Sequence, residues 1–181
     1  MPRNSHMRLI ALAASAAYWI GSAAGEFYVT PGGEAGSIGV YAAHINRSAQ
    51  LRKAGVDTTL VSAGKYKVEG SLYEPLSKDA ERFMQSRVDD YYAKFTRAVA
   101  RHRGVSVLAV RNGMGQGRLL GAQAAKAAGM VDDVATFDDV VRRLLSSRQS
   151  SSSPGSNSLR LRQLDLAALT RFVTVSEAHR R

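Results

Sequence analysis

The chain has no cysteine. That excludes disulfide frameworks, thiolate metal sites and cysteine nucleophiles, and makes a reducing compartment unproblematic. It also has no apolar run of the ~20 residues that a membrane-spanning helix needs. The stretch Leu9 to Ile20 is too short and is broken by Ser15, Tyr18 and Trp19, so it reads as a core segment rather than a membrane anchor or a leader. Acidic residues are in deficit, 15 against 25 Lys and Arg, for a net charge of +10. The excess is spread along the whole chain without a dense run interleaved with aromatics, as on a solvated surface, and no nucleic acid partner is expected. Histidine is sparse too, at His6, His44, His102 and His179, so there are few candidates for the commonest catalytic base.

What is present suits one folded domain with a tail. The chain has 181 residues and is 45% hydrophobic, enough for one sizeable core. Residues 1–7 (MPRNSHM) show no periodicity and are set aside as an expression scar or alternative start. A short strand is expected over Leu9–Leu12, running through Ser15 into an alanine-rich helix. Phe27–Thr30 reads as a strand stopped by Pro31-Gly32-Gly33, and Gly36–Tyr41 as the start of another. Ala49–Ala54 suits a short helix closed by Gly55, and the β-branched run Asp57–Ser62 suits a strand.

Ser77 precedes the longest helical pattern, with Phe83, Val88, Tyr91, Tyr92, Phe95 and Val99 at three- to four-residue spacing and Gly104 beyond its end. Shorter pieces follow: helix over Ser106–Arg111, strand over Gly117–Leu120, helix over Gln123–Ala128, and a last helix from Thr136 and Asp139 through Leu145. Strand and helix alternation makes the fold class α/β. Residues 146–158 (SSRQSSSSPGSNS) have linker composition. For the basic tail 159–181, an amphipathic helix on a partner and a disordered segment both fit.

A serine hydroxyl becomes a nucleophile only when a base takes its proton. Of the histidines only His44 is placed to serve, in a Ser15–His44–Asp57 triad that spacing permits but nothing local supports. Lysine can replace histidine where desolvation lowers its pKa from about 10.4 toward neutrality. Ala63-Gly64-Lys65-Tyr66-Lys67-Val68 offers two lysines, which would share one face if the segment is extended. Periodicity does not choose between them. On composition alone, both lysines are ordinary surface residues and Ser15 is a small residue packed at a helix start.

Five motifs in order carry a resemblance: Leu12-Ala13-Ala14-Ser15-Ala16-Ala17-Tyr18-Trp19; Thr30-Pro31 with Gly36-Ser37-Ile38-Gly39-Val40; Ala63-Gly64-Lys65-Tyr66-Lys67 with Glu69-Gly70; Tyr73-Glu74-Pro75-Leu76-Ser77; and Gly115-Gln116-Gly117-Arg118 with Ala128-Gly129-Met130-Val131-Asp132. Over residues 8–145 the chain resembles serine peptidases of the signal peptide peptidase A type, in their phage prohead (capsid maturation) protease branch. The resemblance implies Ser15 as nucleophile and Lys67, 52 residues further on, as general base. It also implies the Ala16 N–H as an oxyanion donor. Ser37 either steadies the base or is a turn serine bonding backbone groups.

For the fold, the resemblance implies the spiral of ββα units shared with the Clp peptidase and the crotonases. It further implies a ring-shaped homo-oligomer in which the lysine of one protomer serves the serine of its neighbour, with no cofactor and no metal. The substrate is expected to be polypeptide, such as phage scaffold or capsid protein in the cytoplasm of a bacterial host. In the family a second oxyanion donor comes from a glycine-rich loop upstream, and only fourteen residues precede Ser15. The expectation is therefore a chain truncated at its N-terminus, with an incomplete spiral. Three alternatives remain: an inactive homologue kept as an interaction module, a cellular peptidase degrading signal peptides, and an acyl-CoA enzyme of the same fold.

Overall fold

The computed structural model describes residues 7–150, with side chains through residue 146. The elements, in order, are β1 (Met7–Ala14), α1 (Ala16–Gly21), β2 (Glu26–Gly36), α2 (Ser48–Lys53), α3 (Lys78–Arg103) and α4 (Val107–Gly113). A single 3₁₀ turn (Gly115–Gly117), β3 (Leu119–Gly121), α5 (Ala122–Ala127), β4 (Asp133–Val134) and α6 (Phe137–Ser150) complete it. The first strand starts at Met7, one residue inside the segment set aside above. Residues 1–6, most of the serine-rich stretch and the tail 159–181 lie outside the described residues.

The class is α/β, with β2 at the centre of a mixed sheet. It pairs parallel with β1 and β4 and antiparallel with β3. The β1–α1–β2 unit is a parallel crossover, and α1 turns Tyr18 and Gly21 inward while Ala16 and Ala17 are exposed.

Two expected strands differ from what forms. β2 does not stop at Pro31-Gly32-Gly33 but passes through it in an irregularity, the register jumping from Ile10 opposite Val29 to Leu12 opposite Glu34. A bulge tolerates a proline without N–H, and Gly33 is required there because a Cβ would lie 2.5 Å from the Ala11 carbonyl oxygen. The strand foreseen from Gly36 is already ending at Gly36, and Asp57–Ser62 forms no strand. β-branched residues favour a pleated surface but need a neighbouring strand to pair with, and none reaches this run among the described residues.

The helices follow their signals. Ser77 caps α3 by accepting from the Ala80 N–H at 3.1 Å, and Ser106 caps α4 by accepting from Ala109 at 3.0 Å. At the start of α6, the Asp139 carboxylate accepts from the Thr136 N–H and the Thr136 hydroxyl from the Asp139 N–H, a reciprocal cap. That helix runs past Leu145 to Ser150, into the serine-rich stretch.

The main core packs one face of β2 against helices: Tyr18 from α1, Phe27 and Val29 from β2, Phe95 and Val99 from α3, and Val110, Met114 and Met130, while Tyr28 on the other face packs with Ala135 and Val140. Tyr18 is fully buried, its hydroxyl donating to the Met130 carbonyl at 2.9 Å, and burial pushes its pKa well above the usual phenol range. Trp19 stacks on Phe95, ring centroids 4.8 Å apart and nearly parallel. Arg103, almost wholly buried, binds the Asp132 carboxylate at 2.8 Å and the Gly129 carbonyl at 3.0 Å. Asp132 in turn accepts from the Phe27 N–H at 2.7 Å, so this pair ties α3, the α5–β4 loop and β2 together.

Candidate active site

Ser15 occupies the single-residue joint between β1 and α1. A strand that feeds directly into a helix must reverse its backbone within one residue, and Ser15 does so at φ 52°, ψ −119°. An L-residue at such dihedrals is strained by about 1–3 kcal/mol and persists only where the surroundings hold it. Here its N–H donates to the Gly36 carbonyl at 2.9 Å, and its carbonyl accepts from the Trp19 N–H at 3.0 Å. The side chain is exposed and its Oγ makes no hydrogen bond among the described residues. Strain thus pushes the hydroxyl outward instead of folding it back as a cap. Ala16, the first residue of α1, is exposed, and its N–H has no acceptor within the helix.

Two other residues outside glycine take positive φ, Ser37 at 54° and Gln116 at 51°, and both are tied to the Ser15 joint. Ser37 follows Gly36, whose carbonyl holds Ser15, and the Ser37 N–H donates to the Arg118 carbonyl at 2.9 Å. Gly36 itself sits at φ 132°, where a Cβ would lie 2.7 Å from that same Arg118 oxygen. Gly39 packs against Gly117 next to Gln116. The three strained residues therefore form one knot in which the end of β2 locks both the serine joint and the Gly115–Gly117 turn.

A pocket of about 250 Å³ opens beside the serine, lined by Ser15, Ala16, Trp19, Gly39, Val40, Tyr41, Tyr91 and Phe95. The stacked Trp19 and Phe95 give it an apolar wall, and Tyr41 stands 90% exposed at its edge. Sequence patterning had grouped Tyr91 with the buried stripe of α3. Instead it faces out, with Arg87 and Lys94 over its ring.

Lys67 is exposed and does not line this pocket. Its segment is not extended but a series of turns, with hydrogen bonds from Lys67 N to Gly64 O and Glu69 N to Tyr66 O, both 3.1 Å. Lys65 and Lys67 therefore do not share a strand face, and Lys65 lies over the Tyr66 ring instead. Ser37 is close to the joint through the backbone, yet its hydroxyl makes no hydrogen bond among the described residues. His44 bonds the Ser71 carbonyl at 2.9 Å and lines a different pocket with Leu76 and Glu81. That leaves the His44 triad without support. Gln116 was missed as a special position, and its glycines on both sides were the available signal.

Comparisons with known proteins supply the family. A model of peptidase family S49 matches residues 7–150. The capsid assembly protease C of Escherichia phage lambda is 36% identical over 144 residues, which is 78% of this chain and 32% of that protein. The head-tail preconnector protein GP5 of Enterobacteria phage P21 is 34% identical over 129 residues, 71% of this chain and 25% of that protein. Protease 4 of Haemophilus influenzae is 28% identical over 133 residues, 74% and 21% respectively. The chain spans less than half the length of these relatives. With the family model matched over residues 7–150, most of the sequence, the chain is a member of peptidase family S49.

Proposed function

We propose that residues 8–145 form the catalytic part of a serine endopeptidase, with Ser15 as nucleophile and Lys67 as general base, built on the Clp peptidase and crotonase type of spiral. The observation that carries this reading is the Ser15 joint: an exposed Oγ held by backbone strain at the mouth of an apolar pocket. Ser15 Oγ attacks the scissile carbonyl, the lysine amine takes its proton, and the resulting ammonium returns it to the leaving amine. The Ala16 N–H stabilises the oxyanion at the start of α1. Ser37 lies one peptide from the Gly36 carbonyl that holds Ser15, where its hydroxyl can steady the base. This chemistry needs neither metal nor cofactor.

The lysine acts across an interface between copies. Its exposure, and its absence from the lining of the Ser15 pocket, favour service to a neighbour's serine. An ammonium in water is no base, and desolvation between protomers is what frees a lysine lone pair. The lysine-bearing segment also exposes Tyr41, Ile45, Val61 and Tyr66, apolar surface of the kind a ring-shaped homo-oligomer covers. The names of the phage lambda and P21 relatives point to scaffold or capsid polypeptides as substrates, processed in the cytoplasm of an infected host. No helix among the described residues is long and apolar enough to cross a membrane, in keeping with that setting.

Labelling with a fluorophosphonate probe tests the proposal. Wild-type protein is expected to label near pH 8 more steeply as concentration rises, and Ser15→Ala and Lys67→Ala are expected to stay blank. Folded wild-type protein that never labels would mark the chain as a non-catalytic interaction module.

A further inference from the structure

A second pocket, of about 500 Å³, adjoins the serine pocket, with Gly39 and Val40 in the lining of both. Its other walls come from Val88, Asp89 and Tyr92 of α3, Arg111 and Asn112 of α4, and Gln116 and Gly117 of the turn. Nothing in the Ser/Lys chemistry uses it.

Arg111 sets its character. Five of the seven Lys and Arg residues of α3, Lys78, Arg82, Arg87, Lys94 and Arg103, each meet a carboxylate within 4.0 Å. Arg111 meets none within 4.0 Å among the described residues. Its guanidinium instead lies over the Tyr92 ring, 5.3 Å from the centroid. Stacking fixes the plane of the fork and leaves its N–H donors free, an arrangement suited to bidentate binding of a carboxylate. The one carboxylate in the wall, Asp89, already accepts from the Gln85 amide at 2.8 Å. Gln116 also lines the pocket, and its side-chain amide has only a long 3.5 Å contact to the Asn112 carbonyl. Two sets of donors thus face a cleft beside the segment that borders the nucleophile.

We infer that this pocket is a subsite for an acidic side chain of the substrate polypeptide, with Arg111 as its specificity-determining residue. The inference rests on the peptidase reading for its link to cleavage. A substrate crossing the serine pocket in extended form advances about 3.3 Å per residue with side chains alternating in direction. A substrate that continues from the serine pocket past Gly39 and Val40, which line both pockets, brings a side chain to the pocket that Arg111 lines.

Binding can be measured apart from catalysis. Full-length Ser15→Ala protein is titrated with fluorescent nonapeptides of random background in which Glu, Gln or Lys is fixed at each position in turn. Glu is expected to bind about fivefold more tightly than Gln at one position, the scale of a partly exposed ion pair, with the difference fading toward ~0.5 M salt. Adding Arg111→Ala should erase the preference. Adding Arg111→Glu should move it to Lys at the same position, a gain that misfolding does not produce.

The subsite is overturned if no position distinguishes Glu from Gln, if no peptide binds, or if the preference survives Arg111→Ala. It is equally overturned if Arg111→Glu changes only the oligomer size, since the occupant would then be a neighbouring copy. Fluorophosphonate labelling of the wild type reports separately on the peptidase reading. Labelling without acidic preference removes the subsite alone, whereas acidic preference without labelling leaves an acid-selective peptide site and removes the peptidase.

Discussion

Residues 7–38 and residues 39–77 obey different rules. In the first stretch the core side chains Tyr18, Phe27, Val29 and Ile38 are buried, and the strands are paired on both sides of a bulge. In the second, Tyr41 and Val61 are at least 90% exposed, the one helix has six residues, and a β-branched run has no strand to pair with. The first stretch carries Ser15, the proposed nucleophile, and the second carries Lys67, the proposed base. The serine joint is completed by the chain's own contacts, whereas the lysine segment has apolar surface that calls for another molecule.

The sharpest test of that contrast removes one reacting group from each region. Ser15→Ala and Lys67→Ala should each lower peptidase activity by about 10⁴-fold or more, but a mixture of the two inactive proteins should regain part of the wild-type rate. An intact serine and an intact lysine then meet across an interface, and a mixture that stays dead would place both groups in one protomer. Next in size are paired glycine substitutions. Gly36→Ala forces a Cβ against the Arg118 carbonyl at a φ that L-residues avoid. It should cost about 2–3 kcal/mol, a fall in Tm of roughly 6 °C by calorimetry. Gly70→Ala also has positive φ but meets nothing within 4 Å, and should cost about 1 kcal/mol. Equal losses would mean the two regions are equally constrained.

Smaller still, Val61→Asp should leave Tm within about 1 °C, because the side chain is already in water, while shifting concentration-dependent labelling to higher protein. The smallest effect is one of pH. Burial, aided by Arg101, holds the His102 pKa below its ordinary value, and its Nδ1 meets the buried Ser22 hydroxyl at 2.9 Å. The unfolded chain therefore binds a proton that the folded chain resists as pH falls below about 6.5. Stability should be full above that pH and decline as acidification approaches the depressed folded pKa. His102→Gln should flatten the slope of Tm against pH between about 7 and 5.

The fold was legible where local signals and packing agreed. Ser77 and Gly104 bracket α3 as read, and Ser106 and Thr136 open the helices they announce. It was illegible where the outcome depends on a distant neighbour. Pro31-Gly32-Gly33 reads as a stop but becomes a bulge because β1 lies alongside, and Asp57–Ser62 reads as a strand but has no ladder to join. The site divides in the same way. Ser15 was findable from its motif, but its strained joint depends on hydrogen bonds between residues far apart in sequence, Ser15 to Gly36 and Ser37 to Arg118. The turn form of the lysine segment, written in glycines at Gly64 and Gly70, was obscured by alternation that suits a strand equally well.

The knot that joins Ser15 to Gly36 and Ser37 to Arg118 also sets an order of events during synthesis. Its hydrogen bonds close long loops, which form late and only when the whole intervening chain is available. A nascent chain still lacking β3 has no Arg118 carbonyl to hold the end of β2, and so has little to hold Ser15 at its unfavourable dihedrals. With Ser15 as the proposed nucleophile, its hydroxyl is presented only after most of the domain has left the ribosome, and ribosome-bound chains ending before Leu119 should be inert to a serine probe. The order in which the polypeptide becomes able to fold would then withhold the proposed nucleophile during translation.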